Sequence, residues 1–238
     1  MMSGKFEGIK RILYVLLPLA AFVILYDVGT AALQYVLKIL LGLTGMAGAS
    51  FLAQNSGTFQ AVCITGGLIV AFVCLFKTAS TDGFLLCEKS VWKVPVWKYV
   101  MLALITIVVS YGLNYLFTAL GFTEQSESYQ KVAENQYNVV LWVGLLLYGA
   151  VSPFVEEVIF RGFVYGRMRV YMPKVLAVLL SSLLFGVYHG NIVQGVYGFI
   201  MGILYTVVYD KYKNFYLAVF MHSITNLVAY FIQLTGFI

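Results

Sequence analysis

The sequence predicts an all-α, polytopic membrane protein with about seven transmembrane helices (six to eight) and a cytoplasmic N-terminus. Hydrophobic residues make up 61% of the 238 residues and charged residues only 11%, and the mean hydropathy is +0.89. An average soluble domain is about 45–50% apolar and about 25% charged. The chain therefore has too little polar surface to cover a water-soluble globule, which excludes soluble enzymes, disordered chains and secreted disulfide scaffolds.

Seven apolar runs have the length of membrane helices, since about 20 residues span the hydrocarbon core of a bilayer. These runs cover residues 9–44, 57–76, 97–120, 137–166, 174–189, 192–209 and 214–236. The first run is long and is interrupted at Asp27–Gly29. It predicts either one helix with an interfacial extension near 28–44 or a hairpin of two spans.

The basic residues decide between these alternatives, because cytoplasmic loops of membrane proteins are enriched in Lys and Arg. If the first run crosses once, the cytoplasmic segments are 1–11, 77–98, 167–174 and 210–213. They hold 12 of the 15 basic residues, whereas the outer segments 45–56 and 121–136 contain Lys131 alone. A hairpin would invert every later loop. We therefore predict seven crossings, and we interpret the net charge of +5 as loop charge and not as a nucleic-acid-binding surface.

Glycines four residues apart recur in the C-terminal half. This spacing lets two helices approach closely, so we interpret these glycines as packing residues. The pairs are Gly162/Gly166, Gly186/Gly190 and Gly198/Gly202.

Charged residues inside one apolar run point to a functional site, because burying charge in a bilayer is costly. Glu156 and Glu157 are adjacent, and Arg161 follows Glu157 by four residues. Glu157 and Arg161 share a helical face and can pair. Glu156 lies about 100° around the helix and is not neutralised by the same bond, which suits it to proton transfer. An ion-pair network that locks the helices is the structural alternative.

Two further polar clusters occur in later runs. His189 ends the fifth run, four residues after Phe185. His222 and Asn226 are also four residues apart and project from one face of the last helix. Taken alone, each cluster is also compatible with simple hydrogen bonding between helices.

The depth of these residues tests whether the clusters meet. At about 1.5 Å per residue from the basic helix ends, the depths are about 16 Å for Glu156, 22 Å for His189, 14 Å for His222 and 20 Å for Asn226. The hydrocarbon core is about 30 Å thick. All four residues therefore lie in one central layer, which predicts a single site.

A carboxylate, two imidazoles and an amide in one buried cavity suit hydrolysis. Glu156 can take a proton from water, with His189 orienting or sharing that proton. His222 and Asn226 can donate to a developing oxyanion. Glu156, His189 and His222 are alternatively a plausible zinc set. We favour a metal-free glutamate mechanism without a cofactor, because no His-Glu-x-x-His motif occurs and Asn226 suits an oxyanion donor better than a zinc ligand.

The three motifs together resemble those of the CPBP intramembrane protease family, also called the type II CAAX prenyl endopeptidase or Abi family. The family motifs EExxxR, FxxxH and HxxxN correspond to Glu156–Glu157 with Arg161, Phe185 with His189, and His222 with Asn226. The resemblance covers about residues 137–230. It divides one membrane domain into N-terminal helices at 1–136 and a catalytic helical core at 137–236.

This resemblance implies a helical fold with a cavity open to the cytoplasm. The site residues that it implies are the general base Glu156 with His189, the oxyanion donors His222 and Asn226, and the supporting residues Glu157, Arg161 and Phe185. The family has been regarded both as metalloproteases and as glutamic proteases. Some members cut prenylated C-termini, and many bacterial members are linked to peptide maturation, bacteriocin self-immunity or quorum-sensing peptides.

The sequence thus predicts an intramembrane endopeptidase in a bacterial plasma membrane, acting on a small hydrophobic peptide of the lipidated or leader type. Its expected partners are this peptide and the lipid bilayer, with no nucleic acid. The alternative is a membrane immunity or signalling scaffold, since members similar to lysostaphin resistance protein A have lost catalytic residues. No motif position departs from the family pattern here, which favours the enzyme.

Overall fold

The computed structural model describes residues 2–82, 94–137 and 139–235. Two basic residues used to predict the topology, Lys89 and Lys93, and the end of the predicted core at 236 lie outside the described residues. The described chain is helical and contains no strand. Its helices are α1 (Met2–Gly42), α2 (Met46–Gln54), α3 (Ser56–Asp82), α4 (Val96–Ala119), α5 (Phe122–Gln125), α6 (Glu127–Tyr137), α7 (Leu141–Tyr171), α8 (Lys174–Tyr188), α9 (Ile192–Tyr212) and α10 (Phe215–Thr235).

Six of these helices are long and apolar enough to cross a membrane, namely α1, α3, α4, α7, α9 and α10. The seventh predicted run forms α8, which is apolar but has only 15 residues. Large apolar side chains such as Leu17, Val73 and Val108 remain more than half exposed, as expected where a helix faces lipid. The prediction of an all-α, polytopic membrane fold is confirmed.

Helix α1 continues without a break for 41 residues, so the alternative of a hairpin at Asp27–Gly29 is wrong. Gly29 lies where α1 crosses α3. A Cβ atom placed on Gly29 would be 3.2 Å from the Cα atom of Gly67. The glycine therefore permits a close approach of two helices, and it does not end α1.

Short helices occupy the segments predicted as outer loops. α2 follows a turn at Gly45, which has a φ of +64°, and α5 follows a second left-handed turn at Gly121. α6 packs against α3, α9 and α10. These three helices lack an apolar run of membrane length, so the hydropathy pattern did not predict them.

Helices α8 and α9 form a tight antiparallel hairpin. Gly190 has a φ of +73° at the turn, and the side chain of Asn191 caps α9 by accepting a hydrogen bond from the backbone N–H of Gln194 at 2.9 Å. A Cβ atom on Gly186 would overlap the carbonyl oxygen of Gly195. The packing role is confirmed for Gly186, whereas Gly190 serves the turn.

Candidate active site

The central part of α7 departs from regular α-helix on both sides of the two glutamates. Leu147–Val151 and Val158–Tyr165 are π-helical and flank the α-helical turn Ser152–Glu157. Pro153 lacks a backbone N–H and so cannot continue the regular hydrogen-bond ladder at this point. Every residue from 155 to 168 is buried. π-Helical turns inside α-helices are frequent at functional sites, and here they direct both glutamates into the protein.

Glu157 and Arg161 form a fully buried ion pair. The Oε1 atom of Glu157 lies 2.9 Å from Nη1 of Arg161, and the side chains are 0% and 1% exposed. The other terminal nitrogen of Arg161 donates to the carbonyl oxygen of Gly202 at 3.2 Å. The guanidinium also lies over the rings of Phe185 and Tyr205. The positive charge is thus surrounded by one carboxylate, one carbonyl and two aromatic faces, as a supporting role requires.

His222 lies between the two glutamates. Its Nδ1 atom is 2.7 Å from Oε1 of Glu157, and its Nε2 atom is 3.7 Å from Oε2 of Glu156. The imidazole stacks on the ring of Tyr205 and meets the ring of Phe185 edge-on. The His222 side chain is 3% exposed and lies behind the cavity wall that carries Glu156.

His189 caps the C-terminal end of α8. Its Nδ1–H donates to the carbonyl oxygen of Phe185 at 2.8 Å, so Nε2 of the neutral ring is an acceptor. The ring packs edge-on against Phe185 and faces Gly198, where a Cβ atom would be 3.4 Å from two of its atoms. Phe185 therefore touches both histidines and Arg161, which explains its place in the motif.

Glu156 faces a cavity of about 660 Å³. The hydroxyl of Ser152 donates to its Oε1 atom at 2.5 Å. His189 and Asn226 line the same cavity. The structure thus brings three of the four predicted catalytic residues, Glu156, His189 and Asn226, to one cavity. The fourth, His222, does not line the cavity and lies next to Glu156. Their catalytic roles stay a prediction.

The basic residues lie at one end of the membrane helices, and the cavity lies towards the other end. It is lined by Thr123 of α5, Tyr129 of α6 and the end of α8 at Tyr188. At the other end of the α8–α9 hairpin, Lys174 pairs with Asp210 at 2.6 Å. An N-terminus in the cytoplasm therefore places the cavity on the outer side. The cytoplasmic opening implied by the family resemblance requires the opposite orientation, so the side on which the cavity opens stays a prediction.

The contacts of the two histidines bear on the alternative that Glu156, His189 and His222 bind zinc. Both nitrogens of His222 face carboxylates, and Nδ1 of His189 is occupied by a backbone carbonyl. Among the residues that the structure describes, no three His, Cys, Asp or Glu side chains are grouped so that they could hold a metal ion. The Nδ1 contacts are ones that metal-binding histidines also make, but Glu156, His189 and His222 are not grouped as a three-ligand zinc site. The choice between a metal-free and a zinc mechanism stays a prediction.

Several cavity residues were missed by the sequence analysis, which placed the whole site in the C-terminal half. Asp27 of α1, Gln60 of α3 and Asn114 of α4 also line the cavity. Asp27 carried a detectable signal, a carboxylate in an apolar run, but it was interpreted as a helix interruption. Ser152 carries no such signal, because an isolated serine is common in membrane helices.

Comparison with known proteins agrees with the motifs. Residues 138–228 match the family described as "Type II CAAX prenyl endopeptidase Rce1-like". Over 118 residues the chain is 25% identical to the "Putative membrane peptidase YdiL" of Bacillus subtilis (strain 168), which covers 50% of this chain and 48% of that protein. The match thus spans about half the length of this curated relative. No solved structure matches the chain. Through residues 138–228, which contain all three motifs, the chain is similar to the type II CAAX prenyl endopeptidase Rce1-like family.

Proposed function

We propose that the protein is an intramembrane endopeptidase that hydrolyses a small hydrophobic peptide, of the lipidated or leader type, in a bacterial plasma membrane. One observation carries the proposal. The carboxylate of Glu156 faces a cavity among membrane-spanning helices, while its neighbour Glu157 is neutralised by Arg161. Of the two glutamates, Glu156 is thus the one available to a substrate and to water.

In the proposed reaction Glu156 accepts a proton from a water molecule, and the water oxygen bonds to the carbonyl carbon of the scissile peptide. The carbonyl oxygen becomes an oxyanion. When the carbon–nitrogen bond breaks, the proton passes from Glu156 to the leaving nitrogen, so the products are a carboxylic acid and an amine. His189 orients the water through Nε2, since its Nδ1–H donates to Phe185.

Asn226 and His222 are the proposed oxyanion donors. Asn226 lines the cavity and can offer its amide N–H groups directly. Nδ1 of His222 faces Glu157, so His222 can donate only through Nε2 and only when the ring is protonated. In its neutral form with the proton on Nδ1, the Nε2 atom of His222 is an acceptor and offers the oxyanion no hydrogen bond.

The proposal is tested with full-length protein reconstituted in lipid nanodiscs and a library of hydrophobic peptides, with products identified by mass spectrometry. We expect Glu156→Gln to lower the rate of cleavage by about 100- to 10,000-fold, the usual contribution of a general base. Glu7→Gln is the matched control, because Glu7 lies on an exposed part of α1. Full activity of Glu156→Gln would exclude the assignment. Immunity or signalling that persists in that variant would favour the scaffold alternative.

A further inference from the structure

Asp27 is a carboxylate whose purpose the hydrolytic mechanism does not explain. It lies in the apolar part of α1, where a charge is costly, and its exposed side chain lines the cavity together with Glu156. No hydrogen bond or ion pair within the described parts of the chain involves it. A charge that is kept in such a place without a protein partner points to a partner that arrives with the substrate.

The rest of the cavity wall has the same preference for positive charge. The described lining residues contain two carboxylates, those of Asp27 and Glu156, and no Lys or Arg. Tyrosine rings, whose faces attract cations, supply much of the remaining wall. The lining tyrosines are Tyr26, Tyr129, Tyr148, Tyr188, Tyr197 and Tyr230. Low-dielectric walls focus the field of like charges into a cleft, so this cavity favours a cation over an anion.

The register of α1 against α7 places Asp27 at about the depth of Glu156. Nη1 of Arg167 donates to the carbonyl oxygen of Tyr14, which brings these two positions to similar levels. From that level, Glu156 lies about 16 Å along α7 and Asp27 about 20 Å along α1. The two carboxylates therefore differ in depth by only about one residue of an extended peptide, which rises about 3.3 Å.

We propose that Asp27 binds a positively charged side chain of the peptide, within a few residues of the bond that is cut, and so selects cationic hydrophobic peptides. This inference rests on the proposed peptidase function, since it assigns a substrate class to the same cavity. Asp27 acts in binding and specificity, and it takes no part in the proton transfers.

The test measures binding separately from cleavage. Full-length Glu156→Gln protein in nanodiscs is titrated with fluorescent peptides that share one hydrophobic sequence and carry Lys, Gln or Glu at a single central position. We expect the Lys peptide to bind about three- to fivefold more tightly than the Gln peptide, and the Glu peptide more weakly than either, as for a solvent-accessible charge pair. Adding Asp27→Asn should bring the Lys and Gln peptides to equal affinity, whereas adding Glu7→Gln, a matched change on the same helix, should leave the ratio unchanged.

Equal binding of the Lys and Gln peptides before the Asp27 substitution would overturn the inference. A preference for Lys that survives Asp27→Asn would also overturn it. If the preference depends on Asp27 but protein with Glu156 intact cuts none of the peptides, the binding inference stands and the proposed peptidase function fails.

Discussion

The imidazole of His222 is held by Glu157, with Nδ1 only 2.7 Å from Oε1. The same oxygen of Glu157 pairs with Arg161 at 2.9 Å. Glu157 is therefore committed to two partners on two helices, whereas the next residue along the chain, Glu156, faces the cavity. Two adjacent and chemically identical side chains should consequently respond to mutation in different ways.

We expect Glu157→Ala to destabilise the protein by about 3–5 kcal/mol, because Arg161 would remain buried without its counter-charge. Glu156→Gln should leave stability nearly unchanged, since its side chain keeps its shape and loses only a charge at the cavity wall. Thermal and denaturant-induced unfolding in the same detergent measures both variants. Equal stability losses in the two variants would contradict this division of roles.

We expect Gly198→Ala to reduce peptide cleavage by about tenfold while the protein stays folded. The added Cβ atom would lie 3.4 Å from Cε1 and Nδ1 of His189, so the ring must shift by a few tenths of an ångström, and a misplacement of 1 Å costs about 100-fold in rate. Gly112→Ala is the matched control, because a Cβ atom there meets nothing within 4 Å. Wild-type cleavage by Gly198→Ala would show that the placement of His189 is not critical.

We expect cleavage to continue after treatment with a strong chelator, and we expect purified protein to contain no stoichiometric zinc. The physical reason is that, among the residues that the structure describes, no three His, Cys, Asp or Glu side chains are grouped closely enough to hold a metal ion. Elemental analysis and rate measurement on the same sample test this. One equivalent of zinc that leaves together with the activity, and restores it on return, would establish the metal mechanism instead.

We expect the cavity end of the protein to face away from the cytoplasm. In a variant without native cysteines, Thr123→Cys should react with a membrane-impermeant thiol reagent added to intact cells. Lys213→Cys, at the end that carries the basic residues, should react only after the cells are permeabilised. The reverse labelling pattern would show a cytoplasmic cavity and an N-terminus outside, against the positive-inside rule.

Most of the fold could be predicted from hydropathy, because each of the seven predicted apolar runs forms a helix in the structure. The observed helix ends differ from the predicted ends by a few residues. The continuity of α1 past Gly29 could not be predicted from local propensity, since this glycine is typical of a helix interruption until its neighbour Gly67 is known. The π-helical turns around Ser152–Glu157 also could not be predicted from the sequence. They depend on packing around the helix, and local propensity does not encode them.

The candidate site was predicted in part. Spacing alone indicated the pair of Glu157 and Arg161, and depth along the helices indicated that the four catalytic candidates lie together. Spacing did not indicate that His222 turns both nitrogens towards glutamates, because that contact joins α7 to α10 across 65 residues. Asp27 was missed for the same reason, since only tertiary structure brings α1 to the cavity.

The short length of α8 determines how deep into the membrane a peptide must enter to reach the cavity. Its 15 residues rise about 22 Å, so the helix ends about 8 Å short of a hydrocarbon core about 30 Å thick. His189 stands at that end. A segment lying at the outer surface could therefore reach the cavity by dipping a few ångströms, without first being unwound from a helix that spans the whole membrane. If the proposed peptidase function holds, we therefore expect surface-bound, amphipathic chains to enter the cavity more easily than helices that span the membrane.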